Sequence, residues 1–418
     1  MDIQNTVHVN SAFTYAQKKA ISYRHEFITP EHLLSAFLEQ SPFANALNMC
    51  FCDAQELAFS LENYFTKELE SVPADMDYEL EVSTQLNELI QHAYLMIDYS
   101  SAEALNVPHL VQSMLQLKDS WACHILKETL EEDLPEFISQ LISRSEYLTA
   151  YTPYQPEISQ GTLQYIFEFQ SMICELTGME CCNASMYDGA SAAAEAMLMS
   201  IAHAKKRNKV IVSRTLNPRV IEVIETYARF HGVNLEMIPE KEGVTDKAVM
   251  EKLLEADDVA GVIASTPNRY GIIEDFSGFA DNAHAHKALF IVYADPSAMA
   301  VLKTPGEWGA DIACGDGQTL GMPLNFGGPY VGYLAATRDL VRKLPGRIVG
   351  ATTDVDGKRA FVLTLQAREQ HIRRQKANSN ICSNQSLMAL YVTIYMALMG
   401  KQGMKEVNEK SYAGAHYL

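Results

Sequence analysis

Two stretches near the N-terminus recur further along the chain at one fixed spacing, which leaves few folds open to the first third of the molecule. AFTYAQKKAI (Ala12 to Ile21) matches LIQHAYLMID (Leu89 to Asp98), and TPEHLLSAFL (Thr29 to Leu38) matches NVPHLVQSML (Asn106 to Leu115). Ala93 minus Ala16 and His109 minus His32 both give 77, so the two blocks belong to one duplicated unit. In each copy an apolar helical segment is followed by a loop, and then by a Pro in the first turn of a second helix, just before a histidine. Two such copies bury their apolar faces against each other, which predicts an all-α duplicated bundle over residues 1–141. His32 and His109 stand at helix starts, where capping or packing is a commoner role than metal binding.

Between residues 140 and 160 the pattern changes. Short β-rich runs now alternate with helical stretches, as in an α/β domain with a mainly parallel sheet. Val210–Ser213, Val233–Ile238, Val259–Thr266 and Ala288–Asp295 read as strands, and Pro218–His231 and Asp246–Leu254 as helices. Gly327–Thr337 reads as a glycine bend feeding a late strand. Ligands of open α/β sheets gather at the carboxyl ends of the strands. Asp295 and Pro267-Asn268 are therefore expected to share a crevice with Asp188-Gly189-Ala190-Ser191, a small-residue turn that opens a helix. The backbone N–H groups and dipole of such a turn suit an anion, although close packing is the commoner reason for small residues there. Just upstream, YTPYQPEISQG (Tyr151 to Gly161) forms a stiff, aromatic, proline-punctuated arm.

A chain of 418 residues divides into two or three domains, here 1–141 and 142–418. The net charge of −19 argues against non-specific nucleic-acid or anionic-membrane partners. No apolar run is long enough to span a bilayer, and MDIQNTVHVNSAF lacks the basic and apolar regions of a signal peptide, so a cytoplasmic location is expected. The eight cysteines show no zinc spacing and read as buried thiols. No metal site is expected.

The first 141 residues resemble the Clp N-terminal domain, most specifically in RHEFITPEHLLSAFLEQ (Arg24 to Gln40). In that family the module binds adaptors or polypeptides and has no catalysis of its own. The resemblance makes Arg24, His25, Glu26 and Phe27 candidate adaptor contacts. No GxxxxGK[ST] phosphate loop occurs in the chain, so ATP-driven unfolding is not implied.

In the second part, the Asp188 turn, the strand-end acid Asp295 and the Gly-rich segment Gly309 to Gly332 follow the order found in aminotransferase-type pyridoxal-phosphate enzymes. There the turn holds the phosphate, the acid pairs with the pyridinium nitrogen, and the segment carries the Schiff-base lysine. Setting Gly309-Ala310-Asp311 and Pro323 against that pattern places Gln318 where the lysine would stand. An amide forms no imine, and the nearest lysines, Lys303 and Lys343, lie outside the segment.

From about Leu141 onward the chain is similar to subunit 1, the α chain, of the glycine-cleavage P-protein, glycine dehydrogenase (decarboxylating). ISRSEYLTAYTPYQPEISQGT, ELTGMECCNASMYDGASAAAEA and LPGRIVGATTDVDGKRAFVLTLQAREQHIRRQKANSNICSNQ carry the likeness. The resemblance implies an α half without the cofactor lysine and a β chain that bears pyridoxal phosphate. It also implies an assembly that decarboxylates glycine and hands the aminomethyl group to the lipoyl H-protein. Asp188, Gly189, Ala190, Ser191, Asp295 and Gln318 would then line a degenerate cofactor pocket. Tyr151, Tyr154, Gln155, Glu157, Arg368, His371, Arg373 and Arg374 become candidates for contact with the partner or a substrate tunnel. Without the resemblance, the four basic residues read as a solvated helix face. The alternative is a non-catalytic binding protein acting through its Clp-like module. The family continues past the position of Leu418 into a small domain, so part of the apolar helix SLMALYVTIYMALM (Ser386 to Met399) is expected to be uncovered and self-associating.

Overall fold

The structure, a computed structural model, describes residues 4–49, 53–100, 104–117, 120–131, 134–324, 329–365, 370–377 and 379–417. It divides into two compact units, Met1–Leu141 and Ile142–Leu418.

The first unit is built twice. Its first copy holds the helices Val7–Ser22, Pro30–Leu38, Ser41–Met49 and Ala54–Lys67. The second holds Thr84–Ser100, Val107–Met114, Trp121–Glu131 and Leu134–Ile142. The first two helices of each copy start at positions that differ by the sequence spacing. His32 and His109 each close a capping box, the ring taking the backbone N–H of Thr29 or Asn106. A glutamate usually does this work. Leu33, Leu34, Phe37, Leu61, Phe65, Leu86, Leu89 and Leu110 form one core with residues of both copies. Four two-residue strands tie the copies together. Gln4–Asn5, before the first helix of copy one, pairs with Ala104–Leu105, before the second helix of copy two. Phe27–Ile28, before the second helix of copy one, pairs with Glu81–Val82, before the first helix of copy two.

The second unit is organised by a seven-stranded sheet. Its strands are β1 (Cys181–Cys182), β2 (Lys209–Ser213), β3 (Asn234–Ile238), β4 (Val259–Thr266), β5 (Leu289–Ala294), β6 (Ile312–Asp316) and β7 (Gly332–Ala336). They lie in the order β1-β7-β6-β5-β4-β2-β3, with β7 antiparallel to its neighbours and the remaining pairings parallel. Alternate residues feed opposite cores. Val212, Ile263 and Ile291 face one, with Met197 and Ile224; Ile211, Val262 and Phe290 face the other, with Phe276 and Phe279. Burial on both faces is why these strands read as unbroken apolar runs. The antiparallel hairpin Ile348–Thr353 with Arg359–Thr364 lies outside this sheet.

One expectation fails. The expected open face is closed at the two tyrosines of the helix that begins at Ser386: Tyr391 and Tyr395 are 2% and 6% exposed, and Tyr391 donates to the Gly321 carbonyl at 3.0 Å, while Leu387, Met388, Leu398 and Met399 are half-buried. Gly321 sits at φ +80 against the Tyr395 ring, with no room for a Cβ. This close approach, invisible in a helix that is apolar all round, covers the two tyrosines, while Leu390 packs with Leu163 and Ile166. The helical run extends to Tyr417 with a break at Gly400. Among the described residues no helix is long and apolar enough to cross a membrane.

Candidate functional site

The helix Gly189–Ala204 aims its N-terminus at the carboxyl edge of the central strands, as the small-residue turn predicts. Two of its first amides are already engaged. Asp188 is the N-cap and accepts the Ser191 N–H at 2.8 Å. Gly189 donates its N–H to Asp316 Oδ2 at 2.9 Å, and the other oxygen of Asp316 accepts the Gln318 N–H at 2.9 Å. A Cβ on Gly189 would lie 2.6 Å from both Asp316 N and the Tyr293 hydroxyl. The glycine is there to let the end of β6 come close. Burial raises the Asp316 pKa, and the nearby Asp188 and Asp295 carboxylates raise it further, against the pull of the two amide donors. Burial also raises Tyr293, with Asp316 the next cause.

Asp295 follows the central strand β5 as expected. Its Oδ1 accepts the Ser297 N–H at 3.0 Å and the Thr319 hydroxyl at 2.6 Å. Gln318 turns its amide to the Met322 carbonyl at 2.6 Å. Lys303 lies over Trp308, and Lys343 reaches the Ala202 carbonyl. Asn268 does not enter the crevice through its side chain, which goes to Glu274 and the Gly243 carbonyl.

These residues do not fit the phosphate of pyridoxal phosphate. Two of the helix-terminal donors are spent on the chain's own carboxylates, and Gly189 is packed against Asp316 and Tyr293. Among the described residues, no lysine or arginine contributes to the electrostatics of Asp316. A like-charge pair at about 4 Å costs about 4 kcal/mol at the effective dielectric near a protein surface. A phosphate would face several carboxylates. Among the described residues there is also no His/Cys/Asp/Glu group able to hold a metal.

The aromatic arm lies against the segment before the last helix. Thr152 and Ser383 share a hydroxyl contact at 2.7 Å, and Arg347 stacks over the Tyr154 ring at 4.9 Å while bonding the Cys382 carbonyl at 2.6 Å. Tyr151 is 79% exposed, and Tyr154, Gln155 and Glu157 are exposed as well. Arg373 and Arg374 are exposed where the short helix Gln370–Arg373 meets a 3₁₀ turn. His371 belongs to that helix, and Arg368 lies outside the described residues. Sequence reading missed Glu195, one turn after Ser191. Burial pushes its pKa up to about 7, opposed by a hydroxyl bond from Ser379 at 2.7 Å. It also missed Asp316, though the strand-end acid in CGDGQ was the available signal.

In the first unit the four adaptor candidates separate. Arg24 is committed internally, to the carbonyls of Val72, Pro73 and Met76 and to the Tyr78 ring. His25 is 1% exposed and paired with His32, which removes it from any docking surface. Glu26 and Phe27 remain on the surface.

A mainly parallel sheet, an acid after its central strand and a helix N-terminus at its carboxyl edge define a pyridoxal-phosphate-transferase large domain. The chain belongs to the glycine cleavage system P-protein family, whose profile matches residues 69–418. That match begins well before Leu141, the start expected from the sequence. The Clp repeat N-terminal domain matches residues 4–129. The chain is 58% identical over 287 residues to the probable glycine dehydrogenase (decarboxylating) subunit 1 of Moorella thermoacetica, covering 69% of this chain and 64% of that protein. The corresponding protein of Desulforamulus reducens is 53% identical over 291 residues, covering 70% and 65%. The chain thus spans a little under two thirds of these relatives. A crystal structure of glycine decarboxylase (P-protein) of the glycine cleavage system, in inhibitor-bound form, superposes with a TM-score of 0.64 at 39% identity, covering 82% of this chain and 81% of that one.

Proposed function

We propose that this chain is the non-lysine half of a cytoplasmic glycine-cleaving assembly. A partner β chain carries pyridoxal phosphate on its own lysine, and the pair decarboxylates glycine and passes the aminomethyl group to the lipoyl arm of an H-protein. The observation that carries this reading is the Gln318 side chain, which turns to the Met322 carbonyl and, set where the resemblance expects the lysine, is an amide that forms no imine. The filled anion cradle supports it, and so does membership of the P-protein family. The division into residues 1–141 and 142–418 is also a division of labour, with catalytic partnership in the second. Its part is to supply surface: Tyr151, Tyr154, Gln155 and Glu157 on the arm, and the basic residues Arg368, His371, Arg373 and Arg374, border the partner or its substrate path. The test is exchange of labelled bicarbonate into glycine. No exchange is expected from this chain alone, and exchange is expected once β chain and H-protein are added. Exchange by the chain alone, or failure to co-sediment with the β chain, overturns the proposal.

A second reading has its own observation. The first unit carries most of the chain's net negative charge. The exposed apolar residues Phe27, Met76 and Val82 lie among Glu26, Glu70, Asp75, Asp77, Glu79 and Glu81. That combination suits a basic polypeptide segment with an apolar anchor. Loss of such a peptide's binding in Phe27→Asp, with the fold retained, supports this reading; unchanged binding removes it.

A further inference from the structure

We infer that Asp316 is a built-in occupant of the anion cradle at Gly189, and that its carboxylate closes this half of the P-protein to phosphate esters independently of the missing lysine. The inference extends the proposal that the chain carries no cofactor, and rests on it only for the class of ligand excluded.

The two obstacles are separable in chemistry. Losing a lysine removes a covalent bond to an aldehyde. Holding a phosphate depends instead on free N–H groups at a helix N-terminus. Here two of those donors, the N–H groups of Gly189 and Ser191, are engaged. Asp316 Oδ2 takes the Gly189 N–H, and Asp188 takes the Ser191 N–H. Asp316 is fixed at the end of β6, and its second oxygen is anchored by the Gln318 N–H, so the carboxylate needs little further ordering to fill the cradle. An external anion has to displace it, pay its own loss of freedom, and enter beside Asp188 and Asp295. The Tyr293 hydroxyl and the Asp316 backbone leave no gap above Gly189. Gln318→Lys alone therefore restores a nucleophile beside a cradle that remains shut.

The intact chain provides the readout. Asp-Gly dipeptides occur at Asp188-Gly189, Asp316-Gly317 and Asp356-Gly357. Labelling aspartate carbonyl carbon and glycine nitrogen isolates those three amides, and Asp356→Asn and Asp316→Ala identify them by elimination. Inorganic phosphate is titrated first, then pyridoxal phosphate. In the wild type and in Gln318→Lys, the Gly189 amide is expected to stay unmoved at tens of millimolar phosphate. In Asp316→Ala it is expected to shift saturably, with affinity at least about tenfold above the wild type. A saturable shift in the wild type overturns the inference, as does a folded Asp316→Ala whose Gly189 amide stays still. If Asp316→Ala does not fold, wild-type pH titration decides. The Gly189 amide should follow the same titration as the Gly317 amide, and a flat Gly189 response beside a titrating Gly317 refutes the contact. Neither glycine nor the β chain takes part, so failure here leaves the subunit proposal standing. Failure to co-sediment with the β chain likewise leaves this inference untouched.

Discussion

His25 and His32 are buried side by side, and the hydrogen bonds around them fix where their protons sit. The Thr29 N–H can only donate, so His32 Nδ1 accepts. His32 Nε2 then donates to His25 Nδ1 at 2.9 Å, and His25 Nε2 donates to the Phe65 carbonyl at 3.2 Å. The relay has no place for an extra proton. Burial lowers both pKa values, and the neighbouring His25 and Lys19 help bring His32 to about 3. Unfolded histidine titrates near 6.5, so below that pH the unfolded chain binds more protons than the folded one. The stability these rings contribute is complete above pH ~6.5 and declines as pH falls, by about 1.4 kcal/mol per pH unit for each histidine while its folded form stays neutral. Thermal melts followed by circular dichroism between pH 8 and 5 should show this decline, and His32→Gln should make it shallower. A melt independent of pH in this window would refute the neutral relay. A second residue-scale effect is volumetric. Gly189→Ala places a methyl group against Asp316 and Tyr293, and should lower stability by about 1–3 kcal/mol in denaturant titration.

At the scale of elements, the helix from Ser386 packs on the helix Gln160–Thr177 and is closed at Tyr395 by the approach of Gly321. Tyr395→Ala should cost about 3 kcal/mol or more, by analogy with large aromatic truncations. The wild type should sediment without self-association through this face; concentration-dependent association abolished by that substitution would show the face to be open. Much of the element pattern was legible in advance. Pro218–His231 and Val259–Thr266 match the observed elements end to end, because a proline start, a following glycine and an unbroken apolar run are local signals. The order of turn, acid and glycine-rich segment was legible too. The cover over Tyr391 and the meeting of Asp316 with Gly189 were not, since they join residues 70 and 127 positions apart. His25 was misjudged for the same reason. Its surroundings come from Phe65, forty positions downstream.

For the molecule as a whole, the first unit's core draws on residues from Val9 to Leu126, with Phe137 packed against it. Residues 1–141 should therefore fold alone and melt cooperatively, as judged by circular dichroism on heating. A weak helical signal or a gradual melt would show dependence on the second unit. The short strands carry a further consequence for how such a unit can change. Each copy lends the lead-in of one helix to the opposite helix of its sibling, so the two are joined like a handshake. In open solenoids every repeat has the same neighbours, and the array can lengthen or shorten one repeat at a time. A handshake closes on two. A third copy would find no strand left to grip, and a lone copy would leave both of its strands unmatched. The strand pairing thus closes the two copies on each other, and the first unit is one cooperative pair rather than two stacked repeats.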